Sequence, residues 1–423
     1  SVRINMRYFV KPDFMKSTGR TKPGRHWLPE ILILFGVEYG GTIITSLLVS
    51  PVIAAWMMTK MDIGSLTSQG GVPDFKQTME LLQNMPGWLT AVMLLGEIGL
   101  IIASFIVGCG LQKRTARSMG FTTHRLIPSY LLGMLYGALA MGAAYGICLL
   151  TGAVHCLGLD SPDCVGYLSL FFAGYMVQGL AEEVVFRGYF MVSVARRYSV
   201  GSGIFLSALM FAMMHGANDG ITTWAYLNLF LFGVLASLVF LATENIWMVG
   251  ALHSVWNFVQ GNVFGIRVSG TSQTVSILGS EISEPLYFLN GGKFGLEGGI
   301  AVTLVLAAAI GITLAVLDRQ EKWTKTRPEP EKTPDNASAF RGDLGQNREI
   351  WQEKSADPME DRPVDEEYGK DFGEVPWRPE MATRQQQQWQ RMEDGQKPDG
   401  QEADVDVSHP KNTGFDRNFF SGD

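Results

Sequence analysis

Cysteine is scarce, at four in 423 residues, which excludes a disulfide-built scaffold. Cys109 and Cys148 fall in apolar runs and read as small hydrophobes. Cys156 and Cys164 flank one short polar loop, so a local disulfide is expected there only if that loop faces an oxidising compartment. The first thirty residues are basic and contain Pro and Gly but no apolar core, so a cleavable signal peptide is not expected. Charge is thin before Asp318, and no repeat is strong enough to suggest the duplicated halves of a transporter.

What remains is a chain of two unlike parts. Up to about Asp318 it is a series of apolar runs rich in Gly, Leu, Ala, Met and Phe. From Asp318 it turns to Glu, Asp, Pro and Gln, as in "DPMEDRPVDEEYGKD", with 16 basic and 25 acidic residues. Such a tail cannot bury enough apolar surface to offset its ordering entropy. It reads as a disordered cytosolic extension that could recruit a protein partner.

A bilayer core needs roughly 20 apolar residues per helix. Candidate spans are 28–59, 88–111, 127–152, 165–195, 200–217, 222–242, 245–262 and 295–317. The fold class expected is therefore all-α, a polytopic membrane helical bundle of about eight helices. Lys and Arg cluster at the N-terminus (Arg3 to Arg25), at 113–125, at Arg196–Arg197 and after the last span, whereas the loop after the third span has none. By the positive-inside rule both termini stay in the cytoplasm, and the cell membrane is the expected location. The organisation expected is a basic N-terminus (1–27), two N-terminal spans (28–119), a core (120–262), an extracytoplasmic loop with the last span (263–317) and the acidic tail (318–423).

Charged residues inside a membrane are costly, so each is a functional hypothesis. Glu30 and Glu38 lie near the entrance of the long first span, and Glu97 stands alone with nothing in the sequence to account for it. Glu182, Glu183 and Arg187 interrupt "GLAEEVVFRGYF", and only two histidines, His215 and His253, fall inside spans. The fourth and fifth spans form a hairpin about Tyr198–Ser199, which puts Glu182 and His215 both about 24 Å from the turn at ~1.5 Å per residue. His253 and Asn257 lie about 12–18 Å beyond the turn at 243–245 by the same rise. The depths agree if the hairpin projects roughly 10 Å into the cytoplasm. Asn257 follows His253 by four residues, as His215 follows Phe211, so each pair shares a helix face.

The paired glutamates separate by the same geometry. Glu183 and Arg187 are four apart and should form an ion pair. Glu182 points about 100° away round the helix and lacks that partner, which makes it the candidate base and Glu183 the brace. Singly, each element also has a structural reading: a buried pair, or a His bonding across helices. Their co-occurrence at one depth favours a site.

"EEVVFR" (182–187), "FAMMH" (211–215) and "HSVWN" (253–257) resemble the motifs EExxxR, FxxxH and HxxxN of the CAAX protease and bacteriocin-processing (CPBP/Abi) family of intramembrane peptidases. This family is related to the type II CAAX prenyl endopeptidases. The likeness covers roughly residues 120–260. It implies that Glu182 and His215 activate a water for attack on a peptide carbonyl and that His253 and Asn257 stabilise the oxyanion. Glu183, Arg187 and Phe211 would support the site. The expected substrate is a membrane-associated, prenylated or bacteriocin-type peptide, with the bilayer as the other partner and no nucleic acid.

The sequence leaves the cofactor open. Glu182, His215 and His253 could hold zinc with an open fourth position. Alternatively, a metal-free glutamate peptidase would polarise water directly. The HExxH helix of zinc peptidases is absent, as are the GxSG and GxGD motifs of other intramembrane proteases. The competing readings are a non-catalytic scaffold or immunity protein on the same fold, and a proton-coupled transporter built on the Glu/His chain.

Overall fold

The computed structural model describes residues 8–16, 25–60, 81, 85–160, 165–272 and 275–324. The tail from residue 325 and Cys164 lie outside the described residues, and with them the expectations of a disordered extension and of a Cys156–Cys164 bond. The described residues all belong to one compact unit within Ser1–Arg341.

The chain is an all-α membrane bundle. Its main helices are α1 (Trp27–Lys60), α2 (Gly87–Gly96), α3 (Ile98–Phe105), α4 (Leu126–Leu150), α5 (Val165–Glu183), α6 (Val192–Arg197), α7 (Val200–Met214), α8 (Thr223–Thr243) and α9 (Ile246–Phe258). A single-turn α10 (Tyr287–Asn290) and the long α11 (Ile300–Arg319) follow. π-helical turns extend α3 through Ile106–Leu111, join α5 to α6 through Val184–Met191, and prolong α9 through Val259–Val263.

Seven stretches are long and apolar enough to cross a membrane: Trp27–Lys60, Gly87–Leu111, Leu126–Leu150, Gly166–Arg197, Val200–Ala217, Thr223–Thr243 and Ile300–Arg319. The expected span at 245–262 forms a helix but is not among them. With its π turn the helix runs from Ile246 to Val263, as long as the span Val200–Ala217, but His253, Asn257, Gln260 and Asn262 make it too polar to rank with the spans. Every residue from Val249 to Asn257 is buried in the protein, so α9 has little lipid to meet.

Small residues put α9 there. It is packed between α4 and α5. Gly133 and Gly137 of α4 lie against the backbone carbonyls of Met248 and Leu252, and Gly179 of α5 lies against the backbone of Ser254. A Cβ at any of these positions would collide with main chain. Without a hydrophobic drive between helices in lipid, such close backbone approach is what holds transmembrane helices together. The same device joins α1 to α3, where Gly99 meets the Gly41 carbonyl and Thr45. On the outside, Leu47, Leu131, Leu139 and Ile312 are each more than half exposed, which suits lipid and not water.

Two small sheets close the ends. At one end β1 (Tyr8–Phe9) pairs antiparallel with β4 (Trp323–Thr324), Lys11 Nζ donates to the Arg196 carbonyl at 3.0 Å, and Lys322 pairs with Glu244. The turns that the Lys and Arg pattern groups together are thus neighbours in space. At the other end β2 (Val154–Leu159) pairs antiparallel with β3 (Leu278–Ile282). Asn290 Nδ2 donates there to the carbonyls of Ala153 and Ser283. Neither sheet was legible as such in the sequence.

Candidate active site

The site grows from the last turn of α5. Glu183 and Arg187 have fully buried side chains and are joined by a 2.8 Å bond from Arg187 Nη1 to Glu183 Oε1. Arg187 also lies over the Phe211 ring, 4.6 Å from its centroid, a cation–π contact that favours burial of the guanidinium. The helix widens into its π turn at this point. Longer i→i+5 bonds leave carbonyls to be satisfied from outside the ladder, and Arg114 does so, donating to the Gly188 carbonyl at 2.8 Å and to that of Tyr189 at 3.0 Å. Ser207 Oγ serves the Phe186 carbonyl at 2.9 Å. Tyr189 Oη donates to Glu30 Oε2 at 3.1 Å, tying α1 to this turn.

From α9, His253 Nδ1 lies 2.8 Å from Glu183 Oε1. A carboxylate only accepts, so Nδ1 carries the hydrogen and Glu183 fixes the ring. The opposite edge, Nε2, lies 3.8 Å from Glu182 Oε2. Glu182 Oε1 accepts from Gln178 Nε2 at 2.5 Å, and Gln178 Oε1 accepts from Asn257 Nδ2 at 3.0 Å. Glu182 and Asn257 are therefore linked through one side-chain amide. Glu182 Oε2 and Asn257 Oδ1 are buried without a hydrogen-bond partner among the described residues. His215 stands at the C-terminus of α7, its Nδ1 2.8 Å from the Phe211 carbonyl. By the same logic this nitrogen donates and Nε2 is left as an acceptor.

Glu182, His215, His253 and Asn257 all line one cavity of about 230 Å³, with Phe211 in its wall. Glu183 and Arg187 stand behind it, bonded to His253 and stacked on Phe211. The structure thus gathers every candidate residue into one place. It adds residues that sequence reading did not assign. Gln178 is one turn before Glu182 on the same face, a spacing that could have exposed it. Glu97, isolated in the sequence, lines the same cavity. With Glu38 and Glu182 it also lines an adjoining one. Glu297, from the loop before α11, closes the far side: it accepts from Trp256 Nε1 at 3.1 Å and from the backbone and hydroxyl of Ser269 at 2.7 and 2.8 Å. Nothing near Glu297 in sequence signals that role.

Among the described residues no three His, Cys, Asp or Glu side chains are grouped as a preformed ion site, although Glu182, His215 and His253 line one cavity. His253 and His215 each commit Nδ1 to a protein acceptor, which leaves Nε2 of each to face the cavity.

Fold and site together define a multi-pass membrane protein with a buried glutamate–histidine centre enclosed by its helices. Residues 165–259 match the family model described as type II CAAX prenyl endopeptidase Rce1-like, consistent with the CPBP family to which the motifs point. The matched segment is thus similar to the CAAX prenyl endopeptidases over 95 of the 423 residues. The match spans α5 to α9, the helices that carry all the motif residues, and leaves α1 to α4 and the segment after 259 outside it. No curated protein matches the chain.

Proposed function

We propose that the protein hydrolyses a peptide bond in a membrane-associated or lipidated peptide by a glutamate–histidine-activated water. The observation that carries this reading is the convergence of Glu182, His215, His253 and Asn257 on one enclosed cavity inside an apolar bundle. A water between Glu182 and His215 would donate one hydrogen to Glu182 Oε2 and the other to His215 Nε2. As its oxygen attacks the carbonyl carbon, Glu182 takes the first proton. The developing oxyanion receives hydrogen bonds from Asn257 Nδ2 and from Nε2 of His253, which enters the step as an imidazolium already protonated from solvent, its charge balanced by Glu183. Collapse breaks the C–N bond, and Glu182 returns its proton to the leaving amine. The new carboxylic acid gives up its proton through His215 to the amine, so the products are a carboxylate and an ammonium. Both termini of the enzyme lie on the cytoplasmic side of the cell membrane in this reading.

The test is cleavage of an internally quenched farnesylated peptide with a three-residue tail, together with a comparison of membrane peptides in cells. Glu182→Gln and His215→Ala are each expected to lower turnover by about 10²–10⁴-fold while the protein stays folded. Full activity in either variant would refute the mechanism.

A further inference from the structure

Away from the active cavity a second hollow, of about 880 Å³, opens at the end of the bundle that carries β1 and β4. Its wall is made by the 13–16 turn, the 115–129 loop, Arg196 and the turn at 243–245. The acids in this wall are already matched. Asp13 is paired with Lys16 at 2.6 Å, a contact that holds its carboxyl below the usual carboxylate range, and Glu244 is paired with Lys322. Arg117 and Arg125 line the hollow, are exposed, and have no ion-pair partner among the described residues. His124, Thr122 and Ser129 stand beside them.

What lies next to this charge names its ligand. The hollow reaches the first turn of α4, where Pro128 and Leu132 form part of its lining. From there Ile127, Leu131, Leu135 and Leu139 run along α4 at four-residue spacing, each more than half exposed. Residues four apart share a helix face, and a bare leucine stripe of this kind belongs against hydrocarbon. The stripe begins at the hollow, so the hollow stands at the level where bilayer gives way to water. An uncompensated pair of arginines at that level, with acyl-compatible surface directly below, is complementary to one kind of molecule.

We propose that this hollow binds the headgroup of an anionic phospholipid. Arg117 and Arg125 hold the phosphate, and the acyl chains lie along the Ile127–Leu139 stripe. Juxtamembrane cations act on anionic lipid in this way, and a guanidinium can engage a phosphate with two parallel donors. A soluble phosphate would use the arginines but not the stripe, and would leave most of the hollow unused.

The experiment needs no substrate, so its outcome is independent of the peptidase reading. The full chain in detergent is titrated with phosphatidylglycerol, and with phosphatidylcholine of the same acyl chains, and bound lipid is read by native mass spectrometry. Wild type is expected to retain phosphatidylglycerol at least tenfold better. Arg117→Gln/Arg125→Gln is expected to lose about 20–30-fold in that affinity, and each single change about fivefold. Lys60→Gln/Lys293→Gln removes the same charge at the far end of α1 and beside Asn290, away from the hollow, and is expected to leave the affinity within about twofold, because screened charges more than a Debye length away contribute little. Equal retention of phosphatidylcholine, or unchanged affinity in the Arg117/Arg125 variants, would overturn the proposal. Complete displacement of lipid by millimolar inorganic phosphate would overturn the lipid as occupant.

Discussion

Replacing Glu183 by Gln should damage the protein in a way that replacing its neighbour does not. Glu183 and Arg187 are both fully shielded from solvent, and Glu183 Oε1 accepts from Arg187 Nη1 and His253 Nδ1, each at 2.8 Å. The amide would keep the volume but remove the charge, leaving Arg187 buried beside a neutral group. Breaking a buried pair from one side costs about 3–5 kcal/mol, mostly because the surviving charge is uncompensated. No discount for solvent screening applies to a pair this deeply buried. Glu182 is different: its side chain is 19% exposed and its charge faces the cavity. Glu182→Gln forfeits about 1 kcal/mol, the worth of one hydrogen bond.

Thermal unfolding in detergent separates the two. At roughly 2–4 °C per kcal/mol for a large domain, Glu183→Gln should lower the midpoint by about 6–20 °C and Glu182→Gln by at most about 4 °C. The double variant Glu183→Gln/Arg187→Met should recover part of the loss, since it also removes the stranded cation. A coupling energy within about 0.5–3 kcal/mol would be normal for contacting residues. Equal midpoints for the two single variants, or strict additivity in the cycle, would show that Glu183 is not the brace inferred from its contacts.

Gln178→Met should lower turnover about tenfold with little change in KM or folded yield, because it cuts the only amide joining Glu182 to Asn257 among the described residues without removing either group; a wild-type turnover would place Gln178 outside the machinery. Glu297→Ala should leave Trp256 Nε1 and the Ser269 amide without their acceptor, a loss of about 2–3 kcal/mol. Hydrogen exchange should show it as faster exchange over residues 267–271, and unchanged protection there would contradict the anchoring role.

Much of the centre was legible because it depends on short-range helical geometry. The Glu183–Arg187 bond follows from a spacing of four, and so do the paired positions of Phe211 with His215 and His253 with Asn257. The gathering of Glu182 and His215 followed from counting residues to a shared turn. The illegible parts depend on distant chain segments meeting. Glu97 had no local partner because its neighbours in the cavity come from α5, α7 and α9. Arg114 read as one more inside-facing cation, yet it is buried against the π turn 74 residues later. The π turn itself has no periodic signature, since its sequence is as apolar as the helices around it.

The helix too polar to rank as a span is instructive for the same reason. A window of hydropathy reports how much of a helix must touch lipid, not how deep it lies. α9 touches almost none: α4 and α5 cover it through Gly133, Gly137 and Gly179, with Cβ-free contact on its backbone. Enclosure lets it carry His253, Ser254 and Asn257 buried together, a content that would be costly on a helix facing hydrocarbon. Each of these polar groups lowers the apparent hydropathy of the segment and also needs the enclosure. A polar, wrapped helix between two glycine-faced spans is therefore what a buried hydrolytic centre requires of a bundle. The weakness of α9 as a span and its place in the site have one physical cause.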